Sequence, residues 1–282
     1  AARRVGGIGP RCGLGEGGAS KCRHTDPRSH CEQQCEERPE YDFTTSNRVR
    51  HTFWKINDKN VIAKIEKKFS EVPALYIADG HHRSASSALL GKELGRIKPC
   101  YNYFMGIFIP EKGLRVYEFN RLVKSLGNYT SASFLEELKN KFEVQEIGEK
   151  LFRPRKNHEI GMYMDRKWFC LVPKEGTFDE NDLVSSLDVS ILSDNILGPI
   201  LEITDLRTDK RITFMGGLEE IEKLMAEVDS GRQTVAFTHF PVSLERLKAI
   251  ADAELVMPPK STWIEPKLRS GLTIYGLSGE SL

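Results

Sequence analysis

Strand-like and helix-like patterns alternate along most of this chain, and that alternation is the feature that most limits its fold. From about Asn47, short alternating or continuous apolar segments are followed by segments with apolar residues at helical spacing. The first four elements are predicted as a strand over 51–56, a helix over 58–70 capped by Asn57 or Asp58, a strand over 74–78 and a helix over 82–94. This beginning indicates a mixed α/β protein.

Two predicted hairpins indicate mixed sheets rather than one parallel sheet. One pairs 103–109 with 114–119, and the other pairs 160–164 with 167–172 through Asp165 and Arg166. Ser133 and Glu136 resemble a capping box and predict a helix that runs to Phe142. The other predicted elements are helices over 187–197, 218–228 and 243–251 and strands over 211–215, 234–238 and 272–276. We therefore expect a mixed α+β fold with hairpins and flanking helices.

Residues 1–45 differ in composition from the remainder of the chain. They hold four of the six cysteines and seven of the 23 glycines but few large apolar residues. Several of their side chains are zinc-ligand types, but no CxxC pair or following helix pattern supports a zinc finger; these are Cys22, His24, His30, Cys31 and Cys35. We expect a disordered or foreign leader here. The region 46–282 then divides into 46–120, with the candidate phosphate site, and 121–282, a C-terminal α/β part.

Overall charge and hydropathy exclude several classes of protein. The 282 residues carry 41 Lys+Arg against 40 Asp+Glu, a formal net charge of +1. This balance weighs against a nucleic-acid partner bound by a global basic field. The longest apolar runs are too short to span a bilayer, and no signal-peptide pattern opens the sequence. With Cys100 and Cys170 interpreted as buried reduced thiols, we expect a cytoplasmic protein with no membrane partner.

The densest group of reactive residues is DGHHR at 79–83, here called the DGHHR box. It follows a short apolar strand and opens a helix, an arrangement that favours anion binding through backbone N–H groups and the helix dipole. Gly80 permits close approach of a ligand to the backbone, and Arg83 can bind phosphate oxygens as a fork. His81 and His82 can donate or transfer protons near neutral pH. In a purely structural interpretation, Asp79 caps the helix and the histidines fill space.

A second candidate is the proline-rich loop over 257–271. Its prolines stiffen the backbone, while Lys260, Lys267 and Arg269 supply positive charge beside Ser261, Thr262 and Trp263. Such a loop could bind phosphate through Lys260, Ser261, Thr262 and Arg269, and Trp263 could stack on a base or sugar. Alternatively, it is a structural loop whose Trp263 covers the core. The weaker candidates are Gly216-Gly217 and His239, and a structural role is favoured for His239.

Three motifs resemble those of the domain of unknown function family 1015. They are YIADGHHR at 76–83, LDVS at 187–190 with ILGPI at 196–200, and MPPKSTW at 257–263 with EPKLRSG at 265–271. They occur in the family's order, and the resemblance spans about 46–282 but not 1–45. Members of the family extend further on the N-terminal side, so the resemblance implies that their N-terminal half is absent here.

The family's DGHHR box is similar to one in archaeal ADP-dependent free-serine kinases, which have a ParB/sulfiredoxin-like fold. The resemblance implies such an element around residues 50–110. It also implies that Asp79, His81, His82 and Arg83 form a phosphate site for a nucleotide such as ADP, ATP or CTP, with Mg²⁺. Those kinases use a carboxylate upstream of the box as a base, and no residue here is assigned to that role.

The leading functional hypothesis is a nucleotide-dependent phosphotransferase acting on a small molecule. In it, Gly80, Arg83 and Ser84 hold phosphates, His81 or His82 stabilises the transferred group, and Asp79 orients the acceptor or Mg²⁺. One alternative is a nucleotide-binding switch or adaptor without turnover. Another is a metal-dependent hydrolase in which Asp79, His81 and His82 bind the ion with His51 or His239.

Overall fold

The computed structural model describes residues 4–5, 38–46, 48–216, 221–267 and 271–277. The chain divides into two compact units. The sheet unit is Arg115–Glu265, and the helical unit comprises the described residues of Arg3–Leu114 and Pro266–Leu282. Some residues named in the sequence analysis lie outside the described residues. They are the Cys and His zinc-ligand candidates of 1–45, Gly217 and Arg269.

The helical unit contains two small antiparallel sheets and two helices. Strand β1 (Arg4–Val5) pairs with β4 (Leu75–Tyr76), and β2 (Tyr41–Thr44) pairs with β3 (Arg50–Phe53). The helices are α1 (Lys59–Ser70) and α2 (His81–Leu94), followed by 3₁₀ turns at Pro99–Asn102 and Glu111–Gly113. Strand β2 lies within 1–45, so Tyr41–Thr44 form a strand inside the segment expected to be a disordered or foreign leader.

Local chemistry explains the boundaries and packing of the two helices. The Asp58 carboxylate accepts hydrogen bonds from the backbone N–H groups of Asn60 and Val61, at 2.7 and 3.3 Å, and so caps α1. On α2, a Cβ at Gly91 would lie 2.9 Å from the Tyr101 carbonyl oxygen. The Asn102 side-chain amide donates to the Gly95 carbonyl at 2.9 Å. Glycine at 91 and 95 therefore lets the first 3₁₀ turn pack directly against α2.

The sheet unit is built on one seven-stranded antiparallel sheet. Its strands are β5 (Arg115–Val123), β6 (Phe142–Gly148), β7 (Ile160–Met164), β8 (Lys167–Pro173), β9 (Ile212–Gly216), β10 (Val235–Thr238) and β11 (Thr262–Glu265). The order is β11-β5-β10-β7-β8-β6, and β9 also pairs with β5. Its helices are α3 (Ser131–Leu138), α4 (Asp188–Leu192), α5 (Ile221–Asp229) and α6 (Leu244–Asp252), and α4 continues as a π-helical turn over Ser193–Leu197.

The sheet is covered on both faces, which explains why its central strands are apolar at consecutive positions. Alternate residues of β10 belong to two separate clusters: Val235 and Phe237 to one, and Ala236 to the other. The first cluster includes Phe134 of α3 and Ile191 of α4, and the second includes Leu224 of α5. A third cluster joins residues of α4, α6 and β11, with Met257 nearby. The expectation of a mixed α+β fold with hairpins and flanking helices is therefore confirmed.

The β7–β8 hairpin has the predicted register and turn. Asp165 and Arg166 have φ values of 51° and 61°, the left-handed pair that a two-residue hairpin loop requires. The Ser133–Glu136 capping box was placed three residues too late. Thr130 is the N-cap, its hydroxyl accepts from the Ser133 backbone at 3.2 Å, and the helix ends at Leu138 rather than Phe142.

Two strand predictions are wrong. Residues 103–109 form no strand; Tyr103 and Ile107 are exposed, and the hairpin partner β5 pairs instead with β9, β10 and β11. The described part of 272–276 is also not a strand. The C-terminal strand is β11, inside the segment predicted as a stiff loop, because Thr262, Trp263 and Ile264 have high β propensity and pair with β5.

Candidate functional site

The DGHHR box forms the start of α2 in the helical unit. Gly80 is the N-cap, with φ 81° and ψ 28°, and as a glycine it supplies no side-chain cap. The Ser84 backbone N–H donates to the Gly80 carbonyl at 2.9 Å, so regular helical bonding begins at once. The first N–H groups of any helix point along its axis without helical acceptors, and the helix dipole adds positive potential.

Asp79 does not cap this helix. Its carboxylate instead lies close to two positively charged side chains. Its carboxylate oxygens lie 3.9 Å from Arg83 Nη2 and 3.6 Å from Lys267 Nζ. The three side chains are exposed, so the pairs are screened by solvent and weak. The structural interpretation in which Asp79 serves as the cap is therefore wrong. Instead, two positive side chains lie beside an uncapped helix start.

The other residues of the box differ in exposure. His82 is exposed, whereas His81, Gly80 and Ser84 are half-buried. The structure thus brings Asp79, Gly80, His81, His82, Arg83 and Ser84 together on one turn, and it adds Lys267 from the C-terminal segment. Lys267 was part of the predicted cationic loop but was not among the residues predicted to bind phosphate.

Lys260, Ser261 and Thr262 belong to the sheet unit, where each has a structural contact. Lys260 has φ 56°, its Nζ lies 5.2 Å from the centre of the Phe119 ring, and its carbonyl accepts from Arg121 at 3.1 Å. The Ser261 hydroxyl donates to the Pro258 carbonyl at 2.7 Å. Thr262 pairs with Glu118 in the β5–β11 ladder. Trp263 also belongs to β11, and its indole packs edge-on to Phe119.

The sheet unit contains a cavity of about 580 Å³ that includes several ionisable side chains. It lies among α4, α6, the residues that follow β10 and the start of β11. Four carboxylates, one guanidinium and two imidazoles line it: Glu118, Glu180, Asp188, Glu245, Arg246, His158 and His239. Arg246 donates to the carbonyls of Asp182 and Leu183 and to the Ser186 hydroxyl.

Asp188 is the most buried carboxylate in this cavity. It is 7 % exposed, and its Oδ1 accepts from the His158 backbone N–H at 2.8 Å. Burial raises the pKa of Asp188 to about 6, against the opposing effects of hydrogen bonds from the backbones of His158 and Phe240. Burial also raises the pKa of Glu118, and Arg153 partly offsets that shift.

His239 lines the same cavity as Asp188. It is 3 % exposed, and neither ring nitrogen makes a hydrogen bond of normal geometry within the described residues. Burial, together with the positive charge of Arg121, lowers the pKa of His239 well below its usual value, while the backbone of Phe119 opposes the shift. His239 is therefore a neutral imidazole near pH 7.

Six of the seven ionisable residues that line this cavity were not predicted from the sequence, and Glu118, His158 and Asp188 are among them. Asp188 could have been predicted, because it is the one carboxylate in the largely apolar segment 187–192. A carboxylate is rarely buried among apolar residues unless it has a partner. Glu118 and His158 had none, since their positions depend on strand pairing and on a left-handed backbone at His158, with φ 66°.

No three His, Cys, Asp or Glu side chains cluster as a metal site anywhere in the part of the chain that the structure describes. His239 lies in the sheet unit, and the DGHHR box lies in the helical unit.

The same described residues include no helix with the length and apolarity needed to cross a membrane. Cys100 and Cys170 are free thiols; Cys170 is buried and Cys100 half-buried.

A sequence model of the family described as "Protein of unknown function (DUF1015)" matches residues 24–190. The match begins within the segment expected to be a leader and includes the DGHHR box and Asp188. It stops before the motifs at 196–200 and 257–271. No curated protein matches the chain.

Among solved structures, the fold is similar to a mutant free serine kinase in complex with AMP, at 16% identity and a TM-score of 0.40 over 68% of each chain. A mutant free serine kinase in complex with ADP is similar at 17% identity and a TM-score of 0.40, also over 68% of each chain. A conserved hypothetical protein from Pyrococcus furiosus is similar at 18% identity and a TM-score of 0.39, over 68% of this chain and 70% of that one.

Proposed function

We propose, for a chain that belongs to the DUF1015 family of proteins of unknown function, that the start of α2 binds the phosphates of a nucleotide and serves phosphoryl transfer to a small molecule. One observation carries the proposal. Arg83 and Lys267 converge on the same Asp79 carboxylate beside a helix start whose N-cap is a glycine with no capping side chain. An arriving phosphate offers both cations more negative charge than one carboxylate does.

The backbone of the box suits this ligand. Gly80 holds the left-handed conformation that turns the chain into the helix, and its missing Cβ leaves room for the Arg83 guanidinium. Arg83 Nη2 lies only 3.2 Å from where that Cβ would lie, so the guanidinium lies close to the backbone at the helix start. Phosphate oxygens can then bind the backbone and the side chain together.

The chemistry assigned to the remaining residues follows from their exposure. His82 is exposed at the first turn and can stabilise the transferred phosphoryl group, and the half-buried His81 can assist. When phosphate binds Arg83 and Lys267 in place of the Asp79 carboxylate, that carboxylate can orient an acceptor hydroxyl or Mg²⁺. ADP, ATP and CTP are the nucleotides to be tested.

The decisive measurement is calorimetric titration of the full chain with ADP, ATP and CTP, with and without Mg²⁺. Arg83→Ala and Lys267→Ala should each weaken binding roughly tenfold or more, because a charge-assisted hydrogen bond contributes ~1.5–3 kcal/mol. Lys92→Ala is the matched control, since Lys92 is a cation in the last turn of the same helix. Unchanged binding in both site variants would show that the phosphate site is wrongly placed.

Turnover distinguishes transfer from simple binding. Phosphorus NMR of the chain with the bound nucleotide and a mixture of small hydroxyl compounds should reveal a new phosphate ester. Tight binding that depends on Arg83, with no ester after prolonged incubation, would instead favour the nucleotide-binding switch.

A further inference from the structure

The cavity of the sheet unit has features of a ligand site. It takes no part in the phosphate binding proposed at α2. Its volume of about 580 Å³ is in the range of cavities that hold small metabolites. It is lined by four carboxylates and one arginine, so its formal charge is negative when the acids are ionised. That arginine, Arg246, is held by the carbonyls of Asp182 and Leu183 and by Ser186.

Two of the carboxylates, Asp188 and Glu118, are withdrawn from water, and among the described residues the charges that act on them, His158 and Arg153, only partly offset the effect of burial. Asp188 is 7 % exposed and accepts hydrogen bonds from the backbone N–H groups of His158 and Phe240, which leaves further acceptor positions on its two oxygens. Glu118 lies on β5 opposite Thr262, half-buried at the cavity wall. Burying a carboxylate is costly unless a positive group compensates it.

His239 is an independent sign of a ligand. It is buried to 97 % and lines the cavity, and neither ring nitrogen makes a hydrogen bond of normal geometry among the described residues, although the Phe119 backbone lies close enough to act on the ring. Buried polar groups are nearly always paired, so an unpaired neutral imidazole at a cavity wall indicates a partner that binds there. The positive charge of Arg121 disfavours a proton on the His239 ring, and a neutral ring has one nitrogen that accepts and one that donates.

We propose that this cavity binds a small organic ammonium compound, with its ammonium group on Asp188 and Glu118 and a hydroxyl or carbonyl group on His239. An ammonium ion has three donors and supplies the positive charge that the two carboxylates lack. Phosphate and other anions are disfavoured here by the same carboxylates. The site lies wholly within the sheet unit and is independent of the function proposed for α2.

The test compares amines with neutral compounds of the same shape, using the full chain at pH 7.5. The probes are ethanolamine, 1,4-diaminobutane and 2-phenylethylamine, each paired with its alcohol: ethylene glycol, 1,4-butanediol and 2-phenylethanol. At least one amine should bind by calorimetry, and its alcohol should bind at least tenfold more weakly. If no amine binds, or if every alcohol equals its amine, the proposal is overturned.

Variants locate the binding site. Asp188→Asn and Glu118→Gln should each weaken the amine at least tenfold, and His239→Gln should weaken ethanolamine more than 1,4-diaminobutane, which has no oxygen. Glu143→Gln is the matched control, because Glu143 is an exposed carboxylate on β6 outside the cavity. Circular dichroism checks that each variant is folded, and Glu118→Gln suffices if Asp188→Asn is not. Amine binding that survives in every folded site variant would contradict the assignment.

Discussion

The backbone N–H of His158 donates a 2.8 Å hydrogen bond to Oδ1 of Asp188, a residue 30 positions further along the chain. This bond holds a carboxylate at the start of α4, against the third hydrophobic cluster. The Phe240 backbone supplies a second donor, and Phe240 follows His239 directly. Backbone donors thus hold the buried acid, and burial raises the pKa of Asp188 while it lowers the pKa of His239.

Asp188→Asn should change the pH dependence of stability. The folded pKa of Asp188 is about 6 against an ordinary 3.8, so the folded chain keeps a proton there that the unfolded chain loses between these values. The acid therefore lowers stability as pH rises from about 4 to 6, by up to ~3 kcal/mol. Relative to wild type, Asp188→Asn should gain stability over this interval. Urea unfolding followed by tryptophan fluorescence measures the difference, and equal slopes would contradict the burial of the charge.

His239→Gln should change the pH dependence of stability in the direction opposite to that of Asp188→Asn. The pKa of His239 is lowered in the fold, so its neutral ring contributes stability above pH 6.5 that is lost as pH falls and the unfolded chain takes up a proton. Without this residue, the variant should lose stability relative to wild type as pH rises from about 4.5 to 6.5, by at most ~1.4 kcal/mol per pH unit. The double variant with Asp188→Asn should show little net change in slope. A His239→Gln slope that follows Asp188→Asn would disprove the assignment.

Gly80→Ala should affect both folding and phosphate binding. Gly80 has φ 81°, and an added Cβ would lie 3.2 Å from Arg83 Nη2. A residue other than glycine in this conformation costs ~1 kcal/mol, and the Cβ displaces the guanidinium. Gly231→Ala is the control, because its φ is 74° and a Cβ there would have no neighbour within 4 Å. Both variants should be destabilised in urea unfolding, while only Gly80→Ala should lose nucleotide affinity in calorimetry.

Asp79→Asn should strengthen nucleotide binding when Mg²⁺ is removed with EDTA. The carboxylate competes with phosphate for Arg83 and Lys267, at 3.9 and 3.6 Å, and repels the incoming charge. Since exposed charges interact by ~1 kcal/mol or less, affinity should rise by roughly threefold at low salt and by less at high salt. Weaker binding of the Mg²⁺-free nucleotide by this variant would mean that Asp79 itself contacts the ligand.

Local sequence signals predicted the elements that depend on neighbouring residues. The cap at Asp58, the DGHHR turn into α2 and the Asp165-Arg166 hairpin each depend on a few adjacent side chains and on backbone preferences. The segment 103–109 shows the limit of such signals. Its apolar residues suit a strand, but β5 has three other partners, and strand pairing is decided by long-range competition.

The sequence by itself determined that the chain is a mixed α+β protein whose DGHHR box at 79–83 turns into a helix, because periodicity, glycine and capping act over a few residues. Only the tertiary structure decided that Lys267 lies beside Asp79, or that Glu118, Asp188 and His239 line one cavity. Those relations depend on the register of β5 with β11 and on backbone donors from distant loops. A carboxylate becomes buried and an imidazole unpaired only when separate segments close around them, and no local pattern specifies that closure.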